Sequence, residues 1–162
     1  MANDHDPLYQ LLKAACAPAL LIFADENGKR PDGEFLTMAV RWADSPPAHA
    51  GTIDEEDRQL LTIVHSGTVE LQAFGSAPYA ALARLAVLLH GERLLDLAEE
   101  LGVSVLSIGR LQDLPTLLDN AAYRRRAVLE LGVSFKTTAL EHVGSIETVI
   151  INTDITAQLP PE

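Results

Sequence analysis

The chain is short of cysteine, of basic residues and of aromatics. Cys16 is the only cysteine among 162 residues. An intrachain disulfide and a cysteine-based metal site are therefore excluded, which fits synthesis in a reducing, intracellular setting. Basic residues are also scarce, with 12 Lys and Arg against 23 Asp and Glu and a formal net charge of −11. Such a chain repels the phosphate backbone that dominates nucleic-acid affinity, and it gains nothing at an anionic membrane surface. Aromatic residues make up 5% with a single tryptophan, so the core must be built of Leu, Val, Ile and Ala. Long apolar runs are missing as well. The longest near the N-terminus, residues 14–24, is interrupted by Pro18 and is too short to span a bilayer. The acidic opening Asn3-Asp4-His5-Asp6 is the opposite of a basic signal-peptide start, so a soluble protein is expected.

Catalytic patterns are missing too. The sequence holds no Gly-x-Gly-x-x-Gly loop, no phosphate-cradling Gly-Lys-Ser/Thr and no Gly-x-Ser-x-Gly elbow. The five histidines (His5, His49, His65, His90 and His142) never fall at i, i+3 or i, i+4 from one another, so no metal-binding helix face is signalled. Asp54-Glu55-Glu56-Asp57 offers oxygen ligands but not the alternating pattern of a calcium loop, and a solvated charge run explains it better. Cys16 falls on the apolar stripe of a predicted helix and reads as a buried thiol, not a nucleophile. Gly75 is a lone glycine suited to a tight turn. No catalytic residue, cofactor site or metal site is expected, and an enzyme is not the favoured reading.

What is present is one domain's worth of patterned sequence. With 48% hydrophobic and 22% charged residues, it can bury a single core. Asp6-Pro7 is a helix start, and Leu8, Leu11, Leu12, Ala15 and Cys16 keep helical spacing over 7–16. Residues 19–24 predict a strand entering a turn at 25–28. From 34 to 43, Leu36, Met38, Val40 and Trp42 alternate with Thr37, Ala39 and Arg41, which predicts a strand with one buried face. Residues 44–57, with Pro46, Pro47, Gly51 and the acidic run, read as a long exposed, mobile loop. Two strands, 60–65 and 68–74, are expected around a turn at Ser66-Gly67, with Gly75-Ser76 capping the next helix. That helix carries Leu82, Leu85, Ala86 and Leu89 and stops at His90-Gly91. A second helix with Leu94, Leu95, Leu97, Ala98 and Leu101 ends at Gly102. A strand over 103–108, a stretch over 111–120 that is irregular or a helical turn around Pro115, a long strand from Arg125 and a last strand over 145–152 complete the pattern. The tail over 153–162 is expected to be loose. This order of elements predicts a single α+β domain over 1–152, a mostly antiparallel sheet with helices packed on one face.

One feature stands apart. Arg124-Arg125-Arg126 is the only basic run in an acidic chain, at the start of a long strand. It is explained by arginines paired with surface carboxylates, by contact with an acidic partner or neighbouring subunit, where the planar guanidinium is favoured, or, as the least favoured reading, by direct contact with DNA.

The second half carries an ordered series of motifs. Val69-Glu70-Leu71-Gln72-Ala73-Phe74-Gly75 precedes a helix, and Leu101-Gly102-Val103 follows the helical region. Gly109 and Asp113-Leu114-Pro115 lead to Leu117-Leu118. Tyr123-Arg124-Arg125-Arg126-Ala127-Val128-Leu129-Glu130-Leu131 comes next, and Gly144-Ser145-Ile146-Glu147-Thr148-Val149 closes the series. Taken together these resemble the neck-terminator and tail-completion proteins of tailed bacteriophages and prophages, well over 67–152 and loosely over 7–43. The acidic, proline-containing stretch 44–57 departs from that pattern.

The resemblance implies a structural virion protein, made in the bacterial host's cytoplasm, that assembles as a sixfold ring at the end of the tail tube. There it would stop tail polymerisation and offer a joining surface to head–tail connector proteins. The implied partners are further copies of the chain, the tail tube protein and the neck proteins, with DNA passing through the ring unread and no membrane or cofactor involved. On this view Arg124, Arg125, Arg126, Asp54, Glu55, Glu56 and Asp57 are the candidate assembly contacts. A different head–tail connector component and a non-enzymatic cellular adaptor are the competing readings.

Overall fold

A computed structural model describes residues 6–25, 31–117 and 123–144. Helix α1 (Pro7–Cys16) begins as the sequence requires, with the Asp6 carboxylate accepting from the Leu8 amide at 2.9 Å and proline in the first turn. It buries Leu8, Leu11, Leu12 and Ala15, and Tyr9 donates its hydroxyl to the Leu21 carbonyl at 3.1 Å. Strand β1 (Leu20–Phe23) pairs in parallel with β2 (Phe35–Asp44). β3 (His49–Ile53) and β4 (Arg58–Phe74) follow, then helices α2 (Pro78–Leu88) and α3 (Glu92–Leu101), and finally β5 (Val103–Asp113) and β8 (Arg126–His142). Between the last two lies a short antiparallel pair, β6 (Thr116–Leu117) with β7 (Tyr123–Arg124).

The main sheet runs β1-β2-β4-β8-β5, with β3 attached to β4. Every pairing except β1 with β2 is antiparallel. This is the expected α+β domain with one parallel exception at its edge.

Register explains where the core sits. Met38, Leu71 and Leu129 lie side by side across β2, β4 and β8, as do Leu36, Ala73 and Ala127. These residues share one face with Val69, Leu131 and Val133, and together they form a single cluster with α1, Leu82 and Leu85 of α2, and Leu94 and Ala98 of α3. Each fully buried leucine contributes about 2 kcal/mol by leaving water. The opposite face carries Phe35 stacked on Phe74 (4.9 Å between ring centres) and a polar group in which Glu70 accepts from Arg41 and from Gln72, both at 2.5 Å. Burial opposes ionisation of Glu70, but those hydrogen bonds and the nearby guanidiniums outweigh it and hold the carboxyl below its usual range.

Several expectations are corrected. Ser66 and Gly67 do not form a turn: β4 is one strand of 17 residues. Gly67 serves close approach instead, because a Cβ there would lie 2.3 Å from the Trp42 carbonyl oxygen. Period-two alternation in β2 fails after Val40, where the register slips against β4 and Arg41 becomes an extra residue. Trp42 consequently leaves the core face, and Val40 lies beyond the end of β1, so both are exposed, at 56% and 46%. Helix α2 starts from Ala77 without a side-chain cap. The Ser76 hydroxyl donates to Glu34 instead, and Gly75 turns the chain at φ +142°. β5 runs on through Asp113, so 111–113 is regular strand, and β8 continues six residues past Lys136. The predicted strand over 145–152, the tail over 153–162 and most of the 25–28 turn lie outside the described residues.

Candidate assembly surface

The stretch 44–57 is exposed, as expected, but it is not a structureless loop. β2 continues to Asp44, and His49–Ile53 pairs with β4 through His49 opposite Thr62, Ala50 opposite Leu61 and Ile53 opposite Gln59. On its other side β4 stays paired with β8 from Arg58 opposite His142 to Ser66 opposite Ser134. The result is a three-stranded arm made of β3, the first half of β4 and the second half of β8. At its root His65 stacks on Phe135 at 4.9 Å, and its Nδ1 lies 3.1 Å from the Asp44 carbonyl oxygen.

The helices do not follow the sheet into this arm. Leu60 and Leu140, directly opposite each other, are 47% and 60% exposed, and Val64 and Ile53 are also open. Among the described residues the arm is a single layer of strands with bare leucines, without the second layer that normally stabilises a sheet, and such surfaces mark contact sites.

The acidic run forms the tip of the arm. Asp54 shapes the turn, its Oδ1 accepting from the amides of Glu56 (3.0 Å) and Arg58 (2.9 Å) and its Oδ2 from Arg58 Nε at 3.0 Å. The Arg58 amide is the chief cause holding the Asp54 carboxyl below its ordinary value, with the Arg58 side chain adding to it. Glu56 pairs with the same guanidinium. Asp57 takes the left-handed conformation at φ 55°, and its carbonyl accepts from Val143 at 2.9 Å. The carboxylates of Glu55 and Asp57 have no partner among the described residues.

The arginine triplet lies at the other end of the same strand, since Arg126 is opposite Phe74. With β4 17 residues long, about 50 Å separates the two clusters at ~3.3 Å per residue. Nor is the triplet one patch. Arg124 lies over Phe35 and Phe74, 5.8 and 5.5 Å from their centres, on the polar face of the sheet. Arg125 donates from Nη1 to the Ser76 carbonyl at 2.9 Å, toward the start of α2. Arg126 has its Nε buried without an acceptor among the described residues. Arg124 and Arg125 therefore tie the sheet end to its surroundings, and of the three arginines only Arg125 is exposed.

Sequence reasoning missed a groove at this end. A cavity of about 370 Å³ opens between the C-terminal end of α1 and α2, lined by Ala15, Cys16, Ala81, Leu85, Glu34 and Arg84 among others. It exists because alanines occupy both walls, and the Ala-rich runs 14–19 and 80–83 are the only signal of it in the sequence. Burial pushes the Cys16 thiol up to about 12, which keeps it protonated and inert. Among the described residues no cluster of His, Cys, Asp and Glu could hold a metal ion, and no helix is long and apolar enough to cross a membrane.

The described residues thus hold an extended arm with exposed leucines and, at the opposite end of β4, an alanine-lined groove. A family model described as phage neck terminator protein matches residues 6–158. The chain belongs to that family. No curated protein matches it. As a phage neck terminator it is a structural protein of the virion's neck, which agrees with the resemblance carried by the motifs over 67–152. The family match extends across 44–57, so the arm lies within the span that the family model covers.

Proposed function

We propose that this neck terminator closes the tail tube as a ring, six copies of the chain around the channel, and that the ring presents the surface on which the head's connector proteins dock. The tail tube protein is the partner on one side and the connector on the other. The observation that carries the reading is the β-arm, a sheet extension whose leucines find no cover among the described residues, in a protein of a neck family. The excess of acidic residues is consistent with a passage for DNA, because an acidic lining does not hold the genome back during ejection. The carboxylates Asp54, Glu55, Glu56 and Asp57 and the arginines Arg124, Arg125 and Arg126 mark the two ends through which copies make contact. Catalysis plays no part.

The test is electron microscopy of particles from a phage or prophage lacking this gene. Tailless heads beside unattached tails with overlong tubes are the expected outcome. Unattached tails of normal length would assign the protein to head–tail connection without termination. Normal, joined, infectious particles would overturn the proposal.

A further inference from the structure

The arm tip and the alanine-lined groove lie at opposite ends of one strand. The groove is bordered by Glu34 and Leu36 at the start of β2, where Phe35 pairs with Phe74. The tip begins at Arg58, the other end of β4. Within one chain, the two cannot meet. Their chemistry is complementary. The tip carries four carboxylates against one guanidinium, and those of Glu55 and Asp57 are unpaired among the described residues. At the groove, Arg84 is exposed and likewise has no partner among the described residues. Arg125 holds the carbonyl of Ser76, the residue whose hydroxyl is bonded to Glu34 of the groove. The one carboxylate of the groove, Glu34, is occupied by the Ser76 hydroxyl. Ile53, exposed at the base of the tip, supplies an apolar group for a cavity walled by alanine and leucine.

We propose that the tip of one copy docks in the groove of the next, with Glu55 and Asp57 reaching Arg84 and Arg125 and Ile53 entering the cavity. Such a contact joins two different surfaces. It is therefore head-to-tail, and it closes into a ring when the rotation between copies allows. The inference rests on the ring reading above and names the surfaces that make it.

Charge exchange tests it in phage particles. Glu55→Arg and Arg84→Glu each change one exposed residue, so the purified variants keep the parent's melting curve. Each is expected to lower the yield of joined particles about tenfold or more, and the double exchange to restore most of it. In a Cys16→Ala background, Glu55→Cys together with Arg84→Cys should give a ladder of disulfide-linked chains from assembled particles. Single reversals with normal yield, a double exchange no better than the singles, or a cysteine pair that gives no ladder would overturn the docking. If deletion of the whole gene leaves particles normal, the ring reading fails instead, and the two failures are told apart.

Discussion

The carbonyl oxygen of Trp42 occupies the space that a side chain on Gly67 would need, 2.3 Å from an ideal Cβ. The contact arises where β2 takes up its extra residue, Arg41, and Ala43 comes opposite Gly67. The glycine thus lets β2 and β4 stay paired past the register slip at Arg41.

Gly67→Ala should accordingly destabilise the protein by roughly 3 kcal/mol, since the obstacle is backbone and cannot rotate away. For a chain of this size that is a fall in Tm of roughly 6–12 °C. Thermal unfolding followed by circular dichroism checks it, and an unchanged Tm would mean that β2 and β4 separate freely at this point.

Two leucines of β8 should respond in opposite ways. Leu129→Ala removes a fully buried side chain from the centre of the core and should cost about 2–5 kcal/mol. Leu140→Ala, at 60% exposure on the arm, should change monomer stability by no more than about 0.5 kcal/mol while lowering the yield of joined particles. Denaturant titration of both variants, set beside particle counts, separates folding from assembly.

The arm tip should loosen in acid. The Asp54 carboxyl titrates below its ordinary value of 3.8 when folded, so its contribution to the turn is fully present above that value. The contribution is lost as pH falls through the lower, folded value. Hydrogen exchange at the Arg58 amide, which Asp54 accepts, should therefore lose protection across that acid range. In Asp54→Asn the same amide should be less protected already at neutral pH.

Cys16 should be silent towards thiol reagents in the native protein at pH 8, because burial keeps it as the thiol up to about 12. It should react at once when the chain is unfolded. Rapid labelling of the native protein would show that α1 opens away from the groove.

Much of the fold could be read from the sequence where local chemistry and periodicity agree. Asp6-Pro7 capping α1, the buried Leu82 and Leu85 of α2 and the alternation from Ala127 to Val133 reappear as predicted, whereas of the apolar residues read in α3 Leu94 and Ala98 are buried and Leu95 is exposed. The readings that failed did so at places where a distant strand decides the outcome. Gly67 looks like a turn residue to its neighbours in sequence, yet its role depends on Trp42 across the sheet. Val40 and Trp42 keep a core-like pattern in β2, but a one-residue bulge and the end of β1 expose them.

The candidate contacts divide in the same way. The acidic run was visible as an exposed feature, because four adjacent carboxylates cannot be buried. Its place at the tip of an arm required β3 to pair with β4, a pairing that Pro46, Pro47 and Gly51 conceal. The arginine run looked like one patch, but strand geometry sends Arg124 over two aromatic rings and Arg125 toward Ser76. By itself the sequence determined the class of protein: an acidic chain, an α+β fold and the motifs of a phage neck family. Composition and short-range periodicity are local properties, and they are enough for that. Only the tertiary structure decided which surfaces stand free, because exposure depends on where the helices stop covering the sheet, and 17 residues of β4 carry the tip far beyond them.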